Sequence, residues 1–194
     1  YSEVLVTGST MFSNIFYSLS TILIMIVPLL TMRTFSEERK DGTEQLLLTA
    51  PRSVTSIVLG KFFAALIVLL IAVVLTFIYY IILMFLGNPN IKTSLVTVFG
   101  FILLGAALIS FGMFASSITE NQVIAAIVSI AFYVITWIGT PYLSQSLEPL
   151  GLMNMFNRFG NGQIACTEVV AFISYTVLFV LLTIIVIQRR KSVK

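Results

Sequence analysis

Charged side chains gather in one short segment, and their types indicate what chemistry the chain can do. Residues 36–50 hold four of the eight acidic residues, namely Glu37, Glu38, Asp41 and Glu44. Arg39 and Lys40 stand among them, and a run of three leucines follows. Carboxylates mixed with bases form charge-assisted hydrogen bonds, and such charges beside an apolar run suit either a membrane interface or contact with another protein.

Catalytic chemistry has little support in this sequence. The chain contains no histidine, which excludes Ser-His triads, histidine metal sites and histidine proton relays within it. Gly60–Lys61 is its sole Gly-Lys pair, and a phosphate-binding P-loop would need a glycine where Thr55 stands. We therefore predict no catalytic residue, metal or cofactor on this chain.

Composition predicts the environment of the chain. Of its 194 residues, 58% are apolar and 10% are charged, whereas soluble domains average about 25% charged residues. Such a chain has too few polar groups to cover its surface in water. This excludes an ordinary cytosolic enzyme, a nucleic-acid-binding domain and a secreted disulfide scaffold.

The elements that must position the charged segment are transmembrane helices. A helix needs about 20 apolar residues to cross a bilayer, and we predict five such spans in one transmembrane domain covering residues 1–194. The predicted spans are residues 12–32, 57–86, 94–114, 122–142 and 169–187. The predicted fold class is an all-α, polytopic helical bundle with a cytoplasmic helix in the segment 36–50.

Basic residues predict the orientation of the bundle. Nine of the eleven Lys and Arg residues lie between the first two spans, at the projecting start of the second span (Lys61) or after the last one. The positive-inside rule places these regions and the turn 115–121 in the cytoplasm. Five spans then leave the first residue outside, and because the sequence begins with Tyr1 we expect a further span before it, six in the complete subunit.

The charged segment itself is predicted to bend. Asp41 followed by Glu44 has the form of a helix start, with Asp41 accepting free backbone N–H groups. We expect the first membrane helix to run on through Lys40, to bend at Gly42, and to be followed by a short helix ending at Pro51. The residues alone leave two interpretations open, an interfacial helix with its leucines in lipid and a docking helix for a cytoplasmic partner.

Other candidate positions lie within the bundle and on its exterior side. Tyr133, Thr136, Trp137 and Thr140 share one helical face and are candidates for a translocation path. Small residues in the third span, among them Gly100, Gly105, Gly112 and Ser116, favour close packing inside one subunit over a dimer seam. Residues 143–168 are predicted to be an exterior, half-inserted segment, with Glu168 either at its rim or stabilising a helix N-terminus.

Two segments resemble a known family. The sequence FSEERKDGTEQLLLTAP, at residues 35–51, is similar to the coupling-helix region of permease subunits of type-2 ABC transporters. FASSITENQ, at residues 114–122, is similar to a second cytoplasmic turn of the same family. The nearest branch is the one that includes gliding-motility and nitrous-oxide-reductase-maturation permeases, and the resemblance extends over residues 20–190.

The resemblance implies partners and contact residues. Such permeases pair as homo- or heterodimers in the membrane and sit on cytoplasmic ATPase subunits, which hold the ATP and Mg. Carried over to this chain, the ATPase-coupling residues are Glu37, Glu38, Arg39, Gly42, Thr43, Glu44, Leu46, Leu47 and Glu120. Glu120 is expected to pair with Arg52 or Lys61, or to cap the helix that begins near Gln122.

The predicted function is that of a multi-pass permease subunit in a bacterial or archaeal cell membrane, most simply an exporter driven by a partner ATPase. Lipidic or amphipathic cargo is slightly favoured, because the spans carry aromatic and hydroxyl groups without a charged centre. No carboxylate lies in the middle of a span, which argues against a proton-coupled pump. The alternative is a membrane scaffold or force-transmitting subunit of an ABC complex that transports nothing.

Overall fold

A computed structural model describes residues 2–45, 53–86, 91–139, 151–164 and 166–193. Within these ranges the chain is helical and has no strand. The helices are α1 (Ser2–Thr31), α2 (Arg33–Lys40), α3 (Val54–Leu86), α4 (Ile91–Ile118), α5 (Gln122–Val134), α6 (Leu152–Gly160) and α7 (Cys166–Val193). The predicted all-α membrane fold is confirmed.

Among the described residues, four helices are long and apolar enough to cross a membrane, namely Ile15–Lys40, Val54–Ile78, Ile91–Ile118 and Cys166–Lys191. A shorter apolar helix covers Gln122–Trp137, in the predicted fourth span. There α5 continues into one π-helical turn, Ile135–Gly139. The last residues predicted for that span, 140–142, lie outside the described residues.

The first membrane helix extends beyond its apolar part, as predicted. Pro28 lies inside α1, and the Met32 N–H donates to the Pro28 carbonyl at 2.8 Å. Met32 keeps helical dihedral angles, so α2 continues directly from α1. This places the charged residues 37–40 on a helical extension rather than in a loop.

The predicted helix start at Asp41 is wrong. Asp41 is the C-cap of α2, and its N–H donates to the Glu37 carbonyl at 2.9 Å. Helical residues resume only at Glu44, so Asp41 is too far upstream to be the N-cap residue. The spacing matched a capping box by chance, because Asp and Glu are abundant throughout this polar segment.

The central helix of the bundle is α4, which contacts α1, α3, α5, α6 and α7. Its small residues permit these approaches. A Cβ atom added at Gly100 would lie 2.6 Å from the Phe159 side chain, and one at Gly105 would lie 2.5 Å from the Leu69 side chain. The small residues therefore serve packing within the subunit, as the sequence favoured.

The helix α6 closes the bundle at the end opposite the charged segment. Its apolar face is buried, with Phe156 and Phe159 fully enclosed. Phe156 contacts Tyr17 and Phe101, and Phe159 contacts Phe172. This part of the predicted exterior segment thus packs onto the bundle, while residues 143–150 lie outside the described residues.

Candidate functional site: the cytoplasmic end of the bundle

Four helix ends that the sequence assigns to the cytoplasm meet at one end of the bundle. They are the end of α2, the start of α3, the end of α4 and the end of α7, and hydrogen bonds or ion pairs join them. The bend after α2 is formed by Gly42, which has φ 73°. A Cβ atom at Gly42 would meet nothing within 4 Å, so its backbone angle, not lack of space, favours glycine there.

A buried hydroxyl attaches the first membrane helix to α4. Ser116 Oγ accepts hydrogen bonds from the backbone N–H groups of Phe35 and Ser36, each at 3.1 Å. The same hydroxyl donates to the Met32 carbonyl at 2.9 Å, which also accepts from Ser36 Oγ. Ser116 is fully buried. The sequence marked it only as a small packing residue, and nothing in its spacing indicated this role.

Arg39 joins the end of α2 to the turn between α4 and α5. Its Nη2 lies 2.6 Å from Glu120 Oε1, and its Nη1 donates to the Ile118 carbonyl at 3.1 Å. Its Nε lies 3.9 Å from Glu44 Oε2. The carbonyl is one of those left without a helical partner at the end of α4, so a cation is favourable there.

Arg190, near the end of α7, contacts the same two regions. Its Nη1 lies 3.4 Å from Glu44 Oε1, while Nη2 donates to the carbonyls of Ser117 at 2.5 Å and Ile118 at 3.4 Å. We call Arg39, Glu44, Glu120 and Arg190 the cytoplasmic ion-pair cluster. The sequence had not singled out Arg190 because a basic residue after a last span is explained by orientation alone.

A separate ion pair connects α3 to α2. Lys61 Nζ lies 2.5 Å from Glu38 Oε2 and donates to the Thr34 carbonyl at 2.5 Å. The ammonium also lies 4.3 Å from the centre of the Phe35 ring, a cation–π distance. These contacts attach the start of α3 to α2.

The expected partners of Glu120 are corrected by this geometry. Glu120 pairs with Arg39, while Lys61 is paired with Glu38; Arg52 lies outside the described residues. Glu120 is not the cap of α5 either. That role belongs to Asn121, whose Oδ1 accepts from the Val123 N–H at 2.9 Å, because an N-cap acceptor must directly precede the first helical turn.

The other predicted coupling residues differ in what they contact. Glu38, Arg39 and Glu44 form ion pairs within the subunit. Thr43 Oγ1 donates to the Glu38 carbonyl at 3.2 Å, which closes the bend, while Glu37 forms no ion pair within the described ranges. Leu46 and Leu47 lie outside the described residues. Contact of any of these with an ATPase stays a prediction.

A polar cleft of about 480 Å³ opens beside the ion-pair cluster. Its lining consists of Arg39, Gly42, Glu44, Gln45, Glu120, Arg189 and Arg190. The bend after α2, the turn between α4 and α5 and the end of α7 all contribute residues to its lining. Among the residues that the structure describes, no group of three Asp, Glu or Cys side chains is arranged to hold a metal ion.

The predicted path residues lie inside the subunit. Tyr133 is buried, and its hydroxyl donates to the Leu108 carbonyl at 2.5 Å. Thr136 Oγ1 donates to carbonyls of its own helix, Phe132 at 2.9 Å and Tyr133 at 3.2 Å, and Trp137 is buried beside them. Thr140 lies outside the described residues. A role for this face in translocation stays a prediction. The contacts show that these side chains pack inside the subunit and that two of them donate to backbone carbonyls.

At the end of the bundle that the sequence assigns to the exterior, Glu168 lies in the first turn of α7 and is buried. Its Oε1 lies 2.7 Å from Arg158 Nη1, and its Oε2 accepts from Thr167 Oγ1 at 3.2 Å. This pair fixes the end of α6 to the start of α7. Both ends of α7 are thus attached to neighbouring elements through arginine–glutamate pairs.

Comparisons with known proteins agree with the resemblance. The family model described as ABC-2 family transporter protein matches residues 5–192. No curated protein and no solved structure matches the chain. The match covers nearly all of the described bundle and both segments that carry the resemblance, so the chain belongs to the ABC-2 transporter family and is a membrane-spanning permease component of an ABC transporter.

Proposed function

We propose that this permease is an exporter subunit and that residues 36–50 receive the motion of a partner ATPase. The ATPase would hold ATP and Mg, and two permease subunits would pair in the membrane. A bacterial or archaeal cell membrane is the proposed location. The gliding-motility and nitrous-oxide-reductase-maturation branch is proposed from the segment at residues 35–51.

The observation that carries the proposal is the attachment of the end of α2 to three other helices. Ser116 holds it to α4, Lys61 to α3, and the cytoplasmic ion-pair cluster to α4 and α7. A displacement applied to the bend would therefore move several membrane helices together. Such rigid-body movement is one of the ways in which a cytoplasmic event changes access across a membrane protein.

Arg39, Glu44 and Glu120 form ion pairs within the subunit, which supports a second role for them beside the contact that the resemblance implies. They hold the coupling segment in shape, and exposed groups beside them are left for the ATPase. Glu37 and the exposed bend at Gly42 and Thr43 are the described candidates for that contact. The apolar contact would come from Leu46 and Leu47.

The direct experiment is co-expression with a candidate ABC ATPase, sought first in the adjoining open reading frames. We expect the two chains to co-purify and the permease to change the rate of ATP hydrolysis. Failure of the chains to associate would contradict the proposal. Association without any effect on hydrolysis would favour the alternative, a scaffold or force-transmitting subunit that transports nothing.

Glu37→Lys tests the contact most specifically. This residue forms no ion pair within the described residues, so its reversal should weaken association while leaving the folded permease intact. Lys40→Glu, at an exposed neighbouring position, is the matched reversal of the opposite sign. Equal association of wild-type and Glu37→Lys permeases would remove Glu37 from the proposed contact.

A further inference from the structure

Arg190 differs from the basic residues on either side of it. Arg189 and Lys191 are exposed, whereas the Arg190 side chain is only 23% exposed and faces Glu44, which is 17% exposed. Orientation in the membrane requires only positive charge on this side. It does not require that one of three consecutive bases be turned inward and paired.

The contacts of Arg190 join two segments that are distant in sequence. One nitrogen faces Glu44, beyond the bend at Gly42, and another donates to the Ser117 carbonyl at the end of α4. A planar guanidinium presents its donors in a fixed fork, so one side chain can hold both acceptors in a defined relation. A lysine has the same charge without this geometry.

We propose that Arg190 is a positioning residue that makes the end of α7 move with the coupling segment. The proposal rests on the proposed function and adds a second route for the motion. A push on residues 36–50 passes along α2 into α1, and through Glu44 and Arg190 it also passes into α7. At its other end α7 is attached to α6 by Glu168 and Arg158, so the exterior element receives the same displacement.

The experiment measures whether the coupling segment and the end of α7 keep a fixed distance. Spin labels are placed on Lys40→Cys and Lys191→Cys, both exposed positions, in a Cys166→Ser background. The distance distribution between the labels is recorded for the reconstituted permease–ATPase complex, without nucleotide and with a non-hydrolysable ATP analogue. We expect a narrow distribution that is the same in both states.

The variants separate geometry from charge. Arg190→Ala should make the distribution about twofold wider, because the donor fork that holds both segments is lost. Arg190→Lys should restore it only in part, and Arg189→Ala, which removes an exposed base, should leave it unchanged. Amide hydrogen exchange in residues 38–45 should accelerate about tenfold in Arg190→Ala, as expected for local loosening.

A purely structural role would widen the distribution without altering the response to nucleotide. The proposal requires in addition that Arg190→Ala let the label distance change when the analogue binds. A distribution equal to wild type in Arg190→Ala, or a nucleotide-dependent change already present in wild type, would overturn it. If the ATPase does not associate, the proposed function fails, and the width measured on the permease alone still decides whether Arg190 holds the two segments.

Discussion

Arg39 Nη2 and Glu120 Oε1 lie 2.6 Å apart, across 81 residues of sequence. This contact joins the two segments in which the chain resembles its family, the one before the bend at Gly42 and the turn between α4 and α5. The two segments therefore form one structural unit. Changes in either one are expected to affect the other.

Glu120→Gln should weaken that unit while preserving its shape. The Glu120 side chain is 63% exposed, so loss of the pair should lower the unfolding free energy by less than about 1 kcal/mol. Stimulation of the partner ATPase should fall clearly, although stability changes little. Because salt screens exposed charges, stimulation by the wild-type permease should also decrease with added salt. Thermal unfolding and ATP hydrolysis measure the two effects.

Asn121→Ala is the control for this prediction. It removes the N-cap of α5 and should cost about 1 kcal/mol of stability, with little effect on ATPase stimulation. A Glu120→Gln variant that stimulates the ATPase as wild type does would limit Glu120 to a local structural role.

Gly42→Ala should impair coupling through the backbone alone. There is free space for the methyl group, but φ is 73°, and an L-residue in that conformation costs about 1–2 kcal/mol. Gly60→Ala is matched, since it also has free space, and it lies inside α3 with no positive φ. We expect Gly42→Ala to associate less with the ATPase and Gly60→Ala to associate as well as wild type does. Equal association of the two variants would contradict the role of the bend.

Ser116→Ala should detach α2 from α4. It removes one buried hydroxyl that accepts from two backbone N–H groups and donates to a carbonyl, which should cost about 1–3 kcal/mol. Ser110→Ala is the control, because its buried hydroxyl donates to the Ala107 carbonyl of its own helix. Thermal unfolding in detergent should show the larger loss for Ser116→Ala, and similar losses would argue against the attachment.

Gly112→Ala should destabilise the bundle by overpacking. A Cβ atom there would collide with the Thr31 side chain and lie 3.0 Å from the Tyr133 hydroxyl, and such insertions typically cost about 1–3 kcal/mol. Thr31→Ala should relieve part of the loss. Gly112→Ala at wild-type stability, measured by thermal unfolding, would show that α1 and α4 can separate at this level.

Hydropathy indicated a helix in each of the five predicted spans, and four of the described helices are long and apolar enough to cross a membrane. The extension of the first helix to Lys40 is polar, so hydropathy gave no signal for it. Glycine in a polar segment indicated the bend at Gly42. The pairing of Glu120 with Arg39 could not be read from the sequence, since any of several bases satisfies a carboxylate. The contacts of Arg190 could not be predicted for a related reason. The positive-inside rule explains its charge but does not say which way its side chain points.

The carbonyl of Ile118 accepts from both Arg39 and Arg190, so the coupling segment depends on residues far outside its own sequence. It is not a module that can be transplanted alone. A chimaera that receives residues 36–50 from another permease would present foreign side chains to the end of α4. We therefore expect that exchanging ATPase partners between such systems needs positions 120 and 190 to be exchanged together with residues 36–50.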